Sequence, residues 1–130
     1  MSNSNFVIGE EYSRKDIFQI LKISPEPTGG NWFTGYTCYN DEHYVFVNID
    51  SAGRTGHLYG DHWQGDGTLY WFGKTRSRFN QPAIQKMLNP ANKVHFFTRD
   101  DNRDTKFIYR GLGHAVTFKD TSPVEVIWRF

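Results

Sequence analysis

Short runs of β-branched and aromatic residues recur along this chain, and turn-forming residues separate them. Such runs are typical of strands, because branched and aromatic side chains pack well on a pleated surface. Tight turns are predicted at residues 40–42 and 64–67, the latter because Asp66-Gly67 readily adopts positive φ. The repetition predicts a sheet that curls into a barrel or sandwich. The predicted strands are residues 32–39, 44–50, 56–59, 68–73, 93–99, 105–112, 115–119 and 124–129.

Two short helices interrupt this pattern. Ser13 can cap a helix over residues 14–22, with Asp16 three positions later as its reciprocal partner. A second helix is predicted at Pro82–Leu88, because proline is tolerated in the first turn and Asn89-Pro90 ends the segment. The sequence therefore predicts a mainly β (α+β) fold, a partly closed, curved barrel with two short helices. Its 130 residues suffice for one domain spanning 1–130, which buries about two thirds of its unfolded surface.

Composition narrows the class of protein. The single cysteine, Cys38, excludes an internal disulfide, and we interpret it as a small buried hydrophobic residue in an intracellular protein. A polar amino terminus without a long apolar run favours a cytoplasmic location. The formal net charge is only +1. From Gly67 to Arg99, however, the charged residues are six lysines and arginines, with no aspartate or glutamate. This local excess predicts one basic face, with scattered solvated charge as the alternative.

Residues 59–84 combine aromatic rings, a tight turn and a run of cations. Tyr59, Asp61 and Trp63 alternate, so an extended segment would place them on one side. Rings can stack an unpaired base for about 1–3 kcal/mol, and a carboxylate can accept from an exocyclic amine. These residues therefore predict a nucleobase pocket. The alternative is that the rings lie in the core and that Asp61 caps a turn.

The cations after this turn predict phosphate contacts. Lys74, Arg76 and Arg78 have the same parity and can meet successive phosphates, while Asn80 can donate a hydrogen bond. A solubilising sheet edge is the alternative interpretation. Tyr70 and Phe72 share one strand face and Leu69 and Trp71 the other, so one pair must face the core.

Catalytic motifs are weak in this sequence. No histidine pair shows metal-ligand spacing, and no nucleophile elbow or phosphate loop occurs. Asp104 and Lys106 could face a metal in a minimal nuclease, but the charged run at 99–104 is typical of a solvated hairpin tip. We therefore expect a protein that is not an enzyme and needs no cofactor or metal.

Short motifs at residues 9–17, 59–73, 79–84, 93–97 and 109–113 resemble the SRA-like module of HNH-type modification-dependent restriction endonucleases. The same order of elements, with residues 32–36 and 126–130, resembles an uncharacterised domain at the carboxyl end of some bacterial helicase-type restriction proteins. The resemblance implies an SRA/PUA-like barrel that binds DNA, with modified cytosine a candidate, by flipping the base. It also implies a restriction system with a partner nuclease or helicase in trans.

This resemblance and the residue patterns together define the candidate sites. A different class of function stays open, because an aromatic pocket also suits a nucleotide or a peptide side chain. The chain would then be a small-ligand or protein-interaction module associated with a restriction or defence enzyme. The candidate base pocket comprises Tyr59, Asp61, Trp63, Trp32, Tyr36 and Trp71, and the candidate phosphate contacts are Lys74, Arg76, Arg78 and Asn80.

Overall fold

The computed structural model describes residues 6–49, 60–74, 76–101 and 103–130. Its elements are mainly strands, as the sequence predicted. The predicted strand at 56–59 lies outside the described residues. The elements are β1 (Glu11–Ser13), α1 (Arg14–Ile20), a 3₁₀ helix (Gly30–Phe33), β2 (Tyr36–Tyr39), β3 (Glu42–Asn48), β4 (His62–Trp63), β5 (Leu69–Phe72), α2 (Pro82–Leu88), β6 (Val94–Arg99), β7 (Lys106–Leu112), β8 (His114–Lys119) and β9 (Glu125–Arg129).

Two sheets form the body of the described chain. The first has the order β1-β7-β6-β3-β2 and the second the order β4-β5-β9-β8. All pairings are antiparallel except β3 with β6. In the described ranges no strand ladder joins the two sheets, so the arrangement is layered, whereas the sequence predicted partial closure into a barrel. The mainly β prediction with two short helices is confirmed.

The first sheet separates two hydrophobic clusters. Val45, Val94 and Phe96 belong to a cluster that includes residues of the second sheet and of α2. Phe46 and Phe97, at the alternate positions, belong to a second cluster with Ile17 of α1. Strand alternation explains this division, because neighbouring side chains point to opposite faces. β3 and β6 are therefore buried on both faces over most of their length.

The aromatic residues supply much of this packing. Trp128 is fully buried, 4.9 Å from Phe96 and 6.0 Å from Trp71 between ring centroids. Phe97 stacks on Phe46 at 5.3 Å in the other cluster. Fully burying such side chains contributes about 1.5–3 kcal/mol each. The high aromatic content is thus explained first by two ring-filled clusters.

The observed bounds of two elements differ from the predicted ones. The capping box forms as predicted, since Asp16 N donates to Ser13 Oγ and Ser13 N donates to Asp16 Oδ2. The helix ends at Ile20, however, and Lys22 adopts a positive φ of 59°. The predicted strand at 32–39 begins only at Tyr36, because the preceding residues form the 3₁₀ helix.

A buried polar chain crosses the first sheet. His95 Nε2 lies 2.6 Å from Glu42 Oε1, and Nδ1 lies 2.8 Å from the Tyr109 hydroxyl. The carboxylate can only accept from Nε2–H, so the tyrosine hydroxyl donates to Nδ1. Burial lowers the pKa of His95 despite the opposing effect of Glu42. Burial, followed by the charge of Lys86, also lowers the pKa of His43.

These two histidines predict a loss of stability in mild acid. As the pH falls below about 6.5, the unfolded chain binds protons that the folded protein resists until its lowered pKa values are reached. The free energy of unfolding should therefore fall between pH 7.5 and 5.5, by up to about 1.4 kcal/mol per pH unit for each histidine. Urea unfolding at both pH values measures this.

The matched variants for this test are His43→Asn and His114→Asn, since His43 is buried and His114 exposed. Removing the buried histidine should reduce the pH dependence, while removing the exposed one should leave it unchanged. An identical pH dependence in both variants would contradict the assignment to burial.

Candidate nucleic-acid interface

Asp61 directly precedes β4, which contains His62 and Trp63. The intervening His62 turns outward and stacks on Tyr70 at 5.3 Å, whereas Trp63 packs against the cluster between the sheets. Asp61 Oδ1 accepts from Phe72 N at 2.7 Å. Asp61 is therefore held beside the end of β5. Tyr59, the third member of this predicted group, lies outside the described residues.

Trp63 is half-buried in an environment of rings and one cation. The Arg110 guanidinium carbon lies 5.1 Å from the centroid of its ring, and the Phe130 ring lies 5.7 Å away. Arg110 Nε in turn donates to Thr98 Oγ1 at 2.9 Å. Cation–π contact of this kind contributes about 0.5–1 kcal/mol at partly exposed sites. Trp63 thus joins the two sheets and keeps part of its surface accessible.

Within the described ranges, the remaining predicted pocket rings are not gathered with Trp63 on one accessible surface. Trp71 is 3% exposed and contacts Tyr36 and Trp128 in the core. Trp32 belongs to the cluster on the opposite face of the first sheet, against Phe18. The prediction of one pocket containing all these rings is corrected accordingly. The physical reason is that burying an indole is more favourable than leaving it exposed, so rings at inward positions fill the clusters.

The ambiguity along β5 is settled by the same burial. Leu69 and Trp71 face the core, and Tyr70 and Phe72 are half-exposed on the outer face of the second sheet. There Tyr70 contacts Phe72 at 5.4 Å and donates its hydroxyl hydrogen to Glu125. These outer rings were not among the predicted site residues. Strand alternation separates Tyr70 and Phe72 from Leu69 and Trp71, but only the packing shows which pair faces the core.

The predicted phosphate contacts lie on a fixed loop after β5. Gly73 N donates to Val124 O at 2.8 Å, and Val124 N donates to Ser77 Oγ at 3.1 Å. Ser77 is 2% exposed, and a Cβ at Gly73 would approach its Oγ to 2.4 Å, which only glycine avoids. This anchoring holds the loop against the start of β9.

The cations of this loop differ in exposure. Arg76 and Arg78 are exposed on either side of the buried Ser77, and Asn80 is exposed as well. Arg76 adopts a φ of 68°, a conformation uncommon for residues other than glycine. Lys74 is half-buried. The loop therefore exposes two guanidinium groups to solvent, while the hydrogen bonds of Gly73 and Ser77 with Val124 hold it in place.

Lys74 and Tyr36 form one unit at the base of the loop. Lys74 Nζ lies 4.5 Å from the centroid of the Tyr36 ring, and Lys74 N donates to the Tyr36 hydroxyl at 3.3 Å. Burial lowers the pKa of Lys74 and raises that of Tyr36. Tyr36, 8% exposed, thus supports a cation and is not grouped with Trp63 as predicted.

A cleft of about 240 Å³ opens beside this unit, between β2 and α2; we call it the β2–α2 cleft. Cys38 lines it and is exposed, which corrects the interpretation of this residue as a buried hydrophobic one. Cys38 lies on the same strand face as Tyr36 and both line the cleft, so on this edge strand burial ends between the two residues. The cleft is lined by Asn31, Tyr36, Thr37, Cys38, His43, Lys74, Ala83 and Lys86.

The candidate nuclease residues lie on a solvated hairpin tip. Asp104 and Lys106 are exposed, and Arg103 pairs with Asp101 at 2.9 Å on the same turn. The side-chain hydrogen bond from Arg103 holds the pKa of Asp101 at about 2. Within the described ranges no three histidine, cysteine or carboxylate side chains are grouped to hold a metal ion. No helix in those ranges is long and apolar enough to cross a membrane.

Comparison with solved structures shows an SRA-like fold. The SRA domain of SUVH5 in complex with hemi-methylated CG DNA matches with a TM-score of 0.56, and its complex with fully methylated CG DNA with 0.54. Both are 12% identical to this chain and cover 98% of it, while the match covers 88% and 90% of those chains. At this identity the likeness shows the fold alone.

Comparison of sequences gives the family. None of the curated protein sequences matches the chain. The model of DUF3427, described as a domain of unknown function, matches residues 6–129. Because this match spans almost all of the chain, the protein belongs to the DUF3427 family, and its fold is SRA-like.

Proposed function

We propose that this chain is a non-catalytic DNA-binding module that recognises a modified base, with modified cytosine as the candidate. The observation that carries the proposal is the SRA-like fold over 98% of the chain, since the similar structures are SRA domains in complex with methylated DNA. The fixed cationic loop at Lys74–Asn80 adds a surface suited to a phosphate backbone. The proposal treats residues 1–130 as one such domain.

Base recognition is assigned to the group around β4. Asp61 accepts from Phe72 N, and a carboxylate has about four acceptor sites, so contact with an exocyclic amine is compatible with this bond. Trp63 offers a partly accessible ring at the edge of the second sheet. Tyr59 is assigned to the same group by its position in the sequence. The base would leave the duplex stack to reach these residues.

Backbone contacts are assigned to Lys74, Arg76, Arg78 and Asn80. Arginine can contact a phosphate with two hydrogen bonds, and lysine supplies a compact charge. Trp63 pairs with Leu69, five residues before Lys74, so at about 3.3 Å per residue the start of the loop lies within about 17 Å of Trp63. The base and its flanking phosphates can therefore be contacted together.

The test compares duplexes that differ only in one 5-methylcytosine, by gel shift at low salt. Burial of the methyl group contributes about 0.8 kcal/mol, which corresponds to about fourfold tighter binding. We expect at least this preference, and an Asp61→Asn variant that folds normally should lose it. A fluorescent 2-aminopurine placed beside the modified base should brighten if that base leaves the stack.

Equal binding to both duplexes would refute modified-base recognition and leave a general DNA-binding protein. Absence of binding to either duplex at low salt would refute DNA binding and favour the small-ligand or protein-interaction alternative. The wider setting, a cytoplasmic restriction system with a nuclease or helicase acting in trans, belongs to this proposal. Co-purification of the tagged chain with such an enzyme from its native cells tests it.

A further inference from the structure

The β2–α2 cleft contains cations without a matching anion. Lys74 and Lys86 line it, and no carboxylate does. In the described part of the chain neither lysine takes part in an ion pair. Lys74 Nζ donates to Asn31 Oδ1 at 3.1 Å, which uses one of the three ammonium hydrogens. The Lys74 ammonium also lies over the Tyr36 ring, and Lys86 is exposed, so the cleft holds positive charge that no anionic side chain of the described residues neutralises.

Partial burial makes this charge unfavourable without a partner. Burial lowers the pKa of Lys74, so the folded protein already disfavours its charged form. An anion in the cleft would offset that desolvation cost. No carboxylate of the described residues lines the cleft, and a bound anion would supply that negative charge.

His43 adds a buried polar group at the same place. It is 4% exposed, lines the cleft, and its ring has no hydrogen bond to any described residue. Burial and the charge of Lys86 lower its pKa, which places Lys86 near the ring and keeps the imidazole neutral at pH 7. A neutral imidazole offers one N–H donor. The His43 nitrogens are not among the sealed, unsatisfied polar atoms of the described residues, and because the ring lines the cleft its N–H can donate to a ligand oxygen there.

We infer that the β2–α2 cleft binds a phosphate group of the nucleic-acid backbone, through Lys74, Lys86, the Asn31 amide and the His43 ring. The inference rests on the proposed function for the source of the phosphate. Phosphate matches this lining because its oxygens only accept and carry negative charge, while the lysines and the amide donate. The cleft is also continuous with Lys74 of the cationic loop, so a strand on Arg76 and Arg78 extends towards it.

The experiment uses inorganic phosphate and a duplex as separate probes, with the wild-type chain and two variants. Lys86→Gln removes a cleft charge, and Lys106→Gln removes an exposed charge on β7 that does not line the cleft. Ring resonances of His43 are followed by NMR during phosphate titration at constant ionic strength. Duplex affinity is measured at several salt concentrations.

We expect phosphate to shift the His43 resonances saturably and Lys86→Gln to weaken that binding at least fivefold. The same variant should lower the slope of log affinity against log salt by about 0.9, the value for one lost phosphate contact. Lys106→Gln should leave the His43 titration unchanged and alter the slope less. Melting temperatures of both variants check that each remains folded.

Different results would contradict the phosphate site, its assignment to the nucleic-acid backbone, and the proposed function. Unchanged His43 resonances with phosphate would overturn the cleft as a phosphate site, even if the chain binds DNA. Phosphate binding with a duplex slope unaffected by Lys86→Gln would overturn the assignment to the nucleic-acid backbone. Phosphate binding in a chain that binds no duplex would also overturn that assignment, and it would refute the proposed function while leaving an oxyanion site.

Discussion

Replacing Trp128 by alanine is expected to lower the free energy of unfolding by about 3–5 kcal/mol. Its ring is fully buried between the two sheets and contacts Phe96 and Trp71. Truncation removes the largest fully buried side chain of the described core, and the surrounding β-sheets can collapse only partly into the cavity. Because small domains have about 5–15 kcal/mol of stability in total, the variant should be marginal at 37 °C. Urea unfolding followed by circular dichroism measures the change.

Trp128→Phe provides a matched comparison. The Trp128 Nε1 hydrogen has no acceptor among the described residues, so phenylalanine removes an unsatisfied donor while keeping most of the buried ring. We expect a smaller loss, below about 3 kcal/mol. Trp63→Ala should also cost less than Trp128→Ala, because Trp63 is only half-buried. A larger loss for Trp63→Ala than for Trp128→Ala would contradict the described packing.

The second large effect is expected on DNA binding. The double variant Arg76→Ala, Arg78→Ala removes two exposed guanidinium groups from the loop. Each lost phosphate contact should lower the salt slope by about 0.9, so the double variant should lower it by about 1.8. At about 50 mM salt this corresponds to roughly tenfold weaker binding for each contact. Fluorescence anisotropy with a labelled duplex at 50–300 mM salt measures both quantities.

A control with the same change in net charge is the double variant Arg103→Ala, Arg129→Ala. Both residues are exposed; Arg103 lies on the hairpin tip between β6 and β7, and Arg129 ends β9. We expect the control to retain most of the affinity and of the salt slope. Equal losses in the two double variants would assign the attraction to overall charge instead of the cationic loop. Stability should be unchanged in both, since exposed substitutions usually alter it by less than about 0.5 kcal/mol.

Local residue patterns predicted much of the secondary structure. The Ser13–Asp16 capping box and the proline-started helix Pro82–Leu88 are both confirmed. The hairpin turn predicted at residues 40–42 is confirmed too, since β2 and β3 pair across it, with Glu42 already the first residue of β3. These features depend on interactions within a few residues, which the sequence displays directly. β1 and β4 were not predicted, because strands of three and two residues leave almost no periodic signal.

Some features of the candidate site could likewise be predicted from the sequence, and others could not. The sequence alone predicted a cationic run after β5 and a shared side for Asp61 and Trp63, because charge and residue spacing can be read within a short segment. It did not show that Trp71 is buried, that Trp32 lies across the first sheet, or that Lys86 and His43 meet Lys74 at one cleft. Those relations join residues far apart in the chain, and they follow from which strand face meets the other sheet. Only tertiary packing decides that, since burial selects one of two faces that the sequence leaves equivalent.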